Sequence, residues 1–306
     1  MLVLGEAVHV ISPRVKAAME SRDKKVIQEI ALAQIARGAG VVDLNIGPQK
    51  KAGAEVMAWM VNTVQEVTDA QLSLDTTNTA AIEAGLKLVR RRAFINSTDA
   101  TPDRLSALMP LAAKYDANII ALTYAGGSLP TTADARISLA VENIIPICDE
   151  FGVSMERVYF DPLVLTINGN QDQVQETINA VRFFKQMSDP PPMTTCGLSN
   201  VSNSAPKEMR PLINRVFLVM MHAAGLDSAI LDALDAELME TLRIIEKRDD
   251  STAVGKLYLA LHDAYSSGSE FDPGVGDLAD PAQKDILKTV EVLENKWIYA
   301  HSYLKL

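Results

Sequence analysis

Gln71-Leu72-Ser73-Leu74-Asp75-Thr76-Thr77-Asn78 is a short, largely apolar run that stops in a block of acid, hydroxyl and amide side chains. The same construction recurs at Gly5-Glu6, Asp43-Leu44-Asn45, Asn96-Ser97-Thr98, Thr123, Asp161-Pro162, Ser199-Asn200 and Asp232. Each run has strand character and is followed by a segment with helical spacing, so the polar ends gather at the carboxyl ends of parallel strands. Barrel active sites are built there. Strands are predicted at Leu2 to Glu6, Val41 to Ile46, Gln71 to Thr76, Ala93 to Ser97, Asn118 to Tyr124, Val158 to Val164, Thr194 to Asn200 and Ser228 to Asp232. Between them apolar residues recur at three and four, as in Val26, Ile27, Ile30 and Ile35, which predicts amphipathic covering helices.

Turn chemistry agrees with this alternation. Thr101-Pro102-Asp103 reads as an N-cap followed by a proline at the first helical position, and Gly40, Gly152 and Gly225 sit just after helical patterns. A doubly wound sheet would alternate in the same way, but no glycine-rich phosphate turn follows the first strand. Eight units with polar ends throughout favour closure. The expected fold is therefore an α/β chain folded as a (β/α)8 barrel, with residues 1–306 forming a single domain.

Composition narrows the class of function. The chain has 306 residues, 48% hydrophobic and 22% charged, as an ordinary globular protein does, and a net charge of −10 argues against binding nucleic acid. The cluster Arg90-Arg91-Arg92 is expected to close a helix at the bottom of the barrel, away from the polar ends. Cys148 and Cys196 lie in apolar stretches and read as reduced core thiols. Met1-Leu2-Val3-Leu4 meets Gly5-Glu6 too early for a signal peptide, and the run Val216 to Leu226 is too short to span a bilayer. A cytoplasmic protein is expected.

One region breaks the rhythm. After a helix from Ala236 to Glu246, residues 247–280 hold a charged stretch, a helical piece around Val254 to Tyr265 and a loop from Ser266 to Leu278. The spacing of Asp272, Asp277 and Asp280 does not match a calcium loop of the EF-hand type, so a solvated excursion is expected there.

With no histidine or cysteine among the strand-end groups, neither a soft-metal site nor an obvious nucleophile is present, and no metal is expected. Asp75, Asn96 and Asp161 end three different strands. Their oxygens suit a flat ligand edge carrying adjacent N–H donors, such as the aminopyrimidinone edge of a pterin. Aspartate and asparagine also cap βα loops for structural reasons alone, and the residues by themselves leave both readings open. His222, in an apolar helical run, reads as packed; His9 lies nearer the mouth.

Val42-Asp43-Leu44-Asn45-Ile46-Gly47-Pro48, Leu74-Asp75-Thr76-Thr77-Asn78, Ile95-Asn96-Ser97-Thr98 and Tyr159-Phe160-Asp161-Pro162-Leu163 resemble the pterin-binding barrels. Gly197-Leu198-Ser199-Asn200-Val201-Ser202, followed by Arg210-Pro211-Leu212-Ile213-Asn214-Arg215, resembles the methyltetrahydrofolate corrinoid/iron-sulfur-protein methyltransferases and their relatives in corrinoid-dependent demethylation. The resemblance runs from the first strand to about residue 246 and resumes over Glu291 to Leu306. It implies a homodimeric (β/α)8 barrel that moves a methyl group between N5 of tetrahydrofolate and the cobalt of a cobalamin. It also implies a pterin held by Asp75, Asn96 and Asp161, with Asp43 and Ser199 among the pterin-binding groups and Asn200 as the catalytic contact to N5. The chain has no Asp-x-His-x-x-Gly signature, so the corrinoid is expected on a separate partner protein docking over the mouth. Where the family often has an arginine and an asparagine after the first Gly-Glu, this chain reads Gly5-Glu6-Ala7-Val8-His9.

Two other readings remain. Dihydropteroate synthases resemble the pterin end but bind pyrophosphate through basic residues after strands seven and eight, where this chain has Ser199-Asn200-Val201-Ser202 and Leu231-Asp232-Ala233-Leu234. A noncatalytic folate-binding protein would need the pterin groups alone.

Overall fold

Eight parallel strands form one sheet in the computed structural model, which describes residues 1–305. The last residue of the resemblance, Leu306, lies outside the described residues. The strands are β1 (Leu2–Gly5), β2 (Val41–Asn45), β3 (Gln71–Asp75), β4 (Phe94–Thr98), β5 (Asn118–Leu122), β6 (Val158–Asp161), β7 (Met193–Thr194) and β8 (Ser228–Leu231). Their order is β7-β6-β5-β4-β3-β2-β1-β8, so the last strand pairs with the first, Leu2 opposite Ser228 and Gly5 opposite Leu231. The remaining seam is drawn together without a full ladder. Ile230 N–H donates to the Cys196 carbonyl at 2.8 Å, and Ser228 Oγ donates to the Thr194 carbonyl at 3.2 Å. The expected (β/α)8 barrel is the fold observed, with helices between successive strands.

Strand alternation builds the interior in two layers. Leu4, Val41, Phe94, Ile120 and Tyr159 pack together as a buried apolar floor, with the Phe94 and Tyr159 rings edge-on at 4.9 Å. Two residues further along the same strands stand Glu6, Asp43, Asn96, Leu122 and Asp161, facing a cavity above that floor. A period of two therefore gives each of these five strands one apolar floor residue and one, mostly polar, cavity-facing group. Outside the strands, two larger apolar clusters join the sheet to its helices. Cys148 and Cys196 are both buried free thiols.

β1 to β4 and β8 lie within one residue of their predicted bounds. β5 ends at Leu122, two residues short of the expected Tyr124, and two further strands also end early. Pro162 offers no N–H to continue β6, and Leu163 turns at φ 62 with its N–H on Asp161 Oδ1 at 2.8 Å. β7 stops at Thr194, and Leu198–Ser202 forms a 3₁₀ turn with Asn200 N–H on the Gly197 carbonyl at 3.2 Å. Ser199 and Asn200 are thus on a turn rather than on a strand.

Arg90 to Arg92 do not close a helix, because that helix runs only over Thr79–Leu86. Instead Arg90 N–H bonds Gln65 Oε1 at 2.7 Å and Arg92 grips Asp116 at 2.6 Å. Within the 247–280 excursion the expected helical piece is present, and the loop after it is largely exposed apart from the buried Phe271. The helix, Ala253–Ser267, buries Leu257, Tyr258, Leu259, Leu261 and Tyr265. It meets the helix Arg210–Ala223 through His222 Nδ1 and His262 Nε2, 2.9 Å apart. Asp272, Asp277 and Asp280 each accept a backbone N–H two residues ahead at 2.8 Å, so these acids shape turns and cap the helix Pro281–Leu293. No helix among the described residues is long and apolar enough to cross a membrane.

Candidate active site

A cavity of about 390 Å³ opens at the carboxyl ends of the strands. A larger groove, about 530 Å³, lies outside the barrel between helices and is lined by Leu212, Tyr258 and Ile286 among others. The strand-end cavity carries the chemistry. Asp43, Asp75, Asn96, Asp161 and Asn200 all line it, which brings five of the six sequence-designated residues together.

Each is held by its own scaffold. Asn96 Nδ2 donates to Asp43 Oδ1 at 3.0 Å, both side chains being buried, and this leaves Asn96 Oδ1 as an acceptor. Asp75 Oδ2 accepts from Asn45 Nδ2, while Asn45 Oδ1 accepts the Gly47 N–H at 3.1 Å. Asp161 is fastened twice, its carboxylate by the Leu163 N–H and its carbonyl by the Thr123 N–H and hydroxyl at 2.9 and 3.0 Å. Of the strand-end polar groups, Asn78 serves as a plain helix cap, accepting the Ala81 N–H at 3.2 Å.

Asn200 is solvent-exposed at the cavity edge. Asn203 Nδ2 donates to Asn200 Oδ1 at 3.2 Å, so the carbonyl end of the Asn200 amide is occupied and its Nδ2 remains as a donor. Ser199 has a different position from the one its neighbour suggested. Its hydroxyl donates to Glu6 Oε1 at 2.6 Å, behind the cavity wall.

Several lining residues escaped the strand-end reading. Asn45 and Glu6 belong to the polar blocks, and each follows an inward-facing residue by two. His9, Ile11, Ser97, Leu122, Gly197 and Ile230 complete the wall. Ile11, 82% exposed, stands on the rim. Gly5 serves close packing: a Cβ there would collide with the buried Gln34 amide, whose Oε1 instead accepts the Ala7 N–H at 2.8 Å.

The electrostatics are one-sided. Burial raises the Asp161 carboxyl to about 6, against the lowering effects of the Leu163 N–H and the Arg136 guanidinium. Burial also raises Asp43, with the charge of Asp75 adding and the Asn96 amide opposing, and it raises Asp75 against the Asn45 amide. Glu6 is raised to about 7 by burial, opposed by Ser199 and reinforced by Asp232 and Asp43. Among the described residues no lysine or arginine lines the cavity. Its oxygens therefore favour a ligand that presents N–H donors and offer no counter-charge to an anion.

Such a barrel, with acceptors in its mouth and a floor beneath, is of the kind that binds a flat, donor-rich heterocycle. The chain belongs to the pterin binding enzyme family, which matches it over residues 13–232. It is 25% identical over 241 residues to the methylcorrinoid:tetrahydrofolate methyltransferase of Eubacterium limosum, covering 78% of this chain and 88% of that protein. It is 31% identical over 258 residues to the methionine synthase of Mycobacterium tuberculosis, where the match takes 81% of this chain but 21% of the longer protein. Among solved structures, the dihydropteroate synthase of Coxiella burnetii in complex with pteroic acid superposes with a TM-score of 0.63 at 15% identity, over 81% of this chain and 92% of the other. A Yersinia pestis dihydropteroate synthase gives 0.61 at 15% identity, over 82% and 94%. At that identity the likeness concerns the fold.

Proposed function

We propose that this protein is a methyltransferase that moves a methyl group between N5 of tetrahydrofolate and a corrinoid carried on a partner protein. The observation that carries the reading is the orientation of Asn200, a free amide donor at the edge of an acceptor-lined cavity. In this reading Asp75, Asp161 and the Asn96 carbonyl accept the N–H groups of the pterin edge, which fixes the ring in one plane. Asp43 acts through Asn96, whose amide it turns. Ser199 acts through Glu6, which its hydroxyl holds.

The chemistry asks for such a donor. N5 is a poor leaving group until its developing lone pair is hydrogen-bonded or protonated. An asparagine meets that need without placing a fixed charge beside the methyl carbon, and its bond strengthens as the pair develops. The corrinoid, as co-substrate, supplies a cobalt nucleophile in one direction and the methyl group in the other. The exposure of Ile11 on the rim of the cavity supports an approach by the partner from outside the barrel. The relative from Eubacterium limosum supports the pairing of folate with corrinoid. A single-domain chain acting as a cytoplasmic homodimer with a separate corrinoid protein completes the proposal, on the strength of the family resemblance.

A dihydropteroate synthase would need to bind pyrophosphate, and the absence of basic groups among the described cavity residues disfavours it. Asn200→Ala tests the main reading. Methyl transfer between methyltetrahydrofolate and cob(I)alamin, followed by stopped flow, should slow by about a hundredfold to a thousandfold, with folate affinity changed much less. Equal losses in rate and affinity would reduce Asn200 to a pterin-holding group. Folate binding by the wild-type protein without any transfer would make it a noncatalytic binder.

A further inference from the structure

We propose that Glu6 is a second catalytic residue of this site, a carboxylic acid that gives a proton to the nitrogen released as the methyl departs and recovers it in the reverse direction. The inference rests on the methyl-transfer reading and deepens it. An amide such as Asn200 donates a hydrogen bond but does not surrender a proton near neutral pH. The nitrogen that loses its methyl ends with an N–H, so the cavity needs a group able to release one.

Glu6 is placed for it. It follows β1 by one residue, faces the cavity two positions beyond the floor residue Leu4, and is anchored by its N–H on the Leu231 carbonyl at 3.0 Å. Ser199 Oγ donates to its Oε1 at 2.6 Å, and Ser199 directly precedes Asn200 on the same 3₁₀ turn. One hydrogen bond thus ties the acid to the turn that presents the amide, and Oε2 is left for a proton. The other acids stand elsewhere. Asp75 is held by Asn45 and Asp161 by the Leu163 N–H, while Asp43 is engaged with Asn96. His9 lies on the Asn45 side, where its backbone bridges that residue.

The groups facing Glu6 are Asp43 from β2, Asp232 beyond β8 and the Ser199 hydroxyl. Burial in that company brings the carboxyl to about 7, where both protonation states are populated at neutral pH, as a group that both gives and takes a proton requires. In the step itself the bond between the methyl carbon and N5 breaks, and its electron pair stays on nitrogen. That nitrogen takes the Glu6 proton, leaving a carboxylate that Ser199 continues to hold. The carbon forms its new bond with the electron pair of the incoming cobalt(I) nucleophile.

Glu6→Gln separates proton transfer from architecture, since the amide oxygen still accepts from Ser199 and the amide nitrogen still donates. Transfer from methyltetrahydrofolate at pH 7 should fall by about a hundredfold or more, with tetrahydrofolate affinity within about threefold of wild type and the near-neutral limb of the pH–rate profile lost. Wild-type rate and profile in the variant would overturn the proposal, as would parallel losses of rate and affinity, which mark a structural strut. A second readout does not depend on turnover or on the variant folding. In wild-type protein carrying carbon-13-labelled glutamate carboxyls, one resonance should titrate near neutral pH and shift when tetrahydrofolate binds. Its absence would overturn the assignment. A wild-type protein that transfers no methyl group at all would instead remove the functional reading itself, and Glu6 with it.

Discussion

Asp161 shows how function and stability oppose one another within one side chain. Its folded-state carboxyl, near 6, lies above the ordinary value of 3.8, so the folded protein holds this proton more tightly than the unfolded chain does. Above about pH 6 both states are ionised and the full cost of burying the charge is present; between 6 and 3.8 that cost is recovered as pH falls. Asp161→Asn, which keeps an acceptor for the Leu163 N–H, should therefore stabilise the unliganded protein by about 1 to 3 kcal/mol at pH 7.5, with the gain fading toward pH 4. Urea denaturation at several pH values measures this. The same position should matter in the opposite sense for ligand: Asp161→Ala is expected to weaken tetrahydrofolate binding by about 2 to 4 kcal/mol by calorimetry, because a charged acceptor facing paired donors is lost. Asp75, Asn96 and Asp161 were legible in the sequence because each ends an apolar run. Asn45 was harder to see, since its role is a hydrogen bond to Asp75 from the neighbouring strand, and that neighbour is 30 residues away.

At the scale of elements, the turn Leu198–Ser202 departs furthest from expectation, whereas the helix Ala253–Ser267 forms where a helical piece was expected, around Val254 to Tyr265. The stretch Thr194 to Asn200 has strand-like composition, yet beyond Thr194 there is no full ladder for it to join, and a 3₁₀ turn satisfies its backbone instead. That departure brings Asn200 to the cavity edge and Ser199 behind it. The helix Ala253–Ser267 docks through the imidazole pair of His222 and His262, which needs one neutral ring as acceptor. Burial first, then His262 and the N-terminal amine, lower His222 to about 4, with Glu246 opposing; burial also lowers His262 against Asp263. A histidine whose folded value lies below the unfolded 6.5 contributes fully above 6.5 and loses that contribution as pH falls toward 4. The protein should lose about 1 kcal/mol through this pair between pH 7 and pH 5, a figure already reduced for partial exposure. His262→Gln should flatten that part of the stability profile in urea titrations, and an unchanged slope would show that the pair does not carry it.

For the whole molecule, ligand and stability are linked through one cavity. Tetrahydrofolate at a hundred times its dissociation constant should stabilise the fold by about 2.7 kcal/mol, seen as a rise of a few degrees in the thermal midpoint. Pyrophosphate should give no rise, since no basic side chain among the described residues lines the cavity, and a rise with pyrophosphate would favour the synthase reading over methyl transfer. The barrel and five of the thirteen residues lining its mouth are readable from local sequence. Strand ends and helical spacing are local patterns, and the parallel alternation of eight such units leaves few ways to bury the apolar faces. Tertiary structure alone decided which polar side chains face the ligand with a free atom and which are occupied by a neighbour. Ser199 is turned to Glu6, Asn200 has its carbonyl taken by Asn203, and Asp43 is bound to Asn96. The first and last of these bonds join residues 193 and 53 positions apart, which no local pattern encodes.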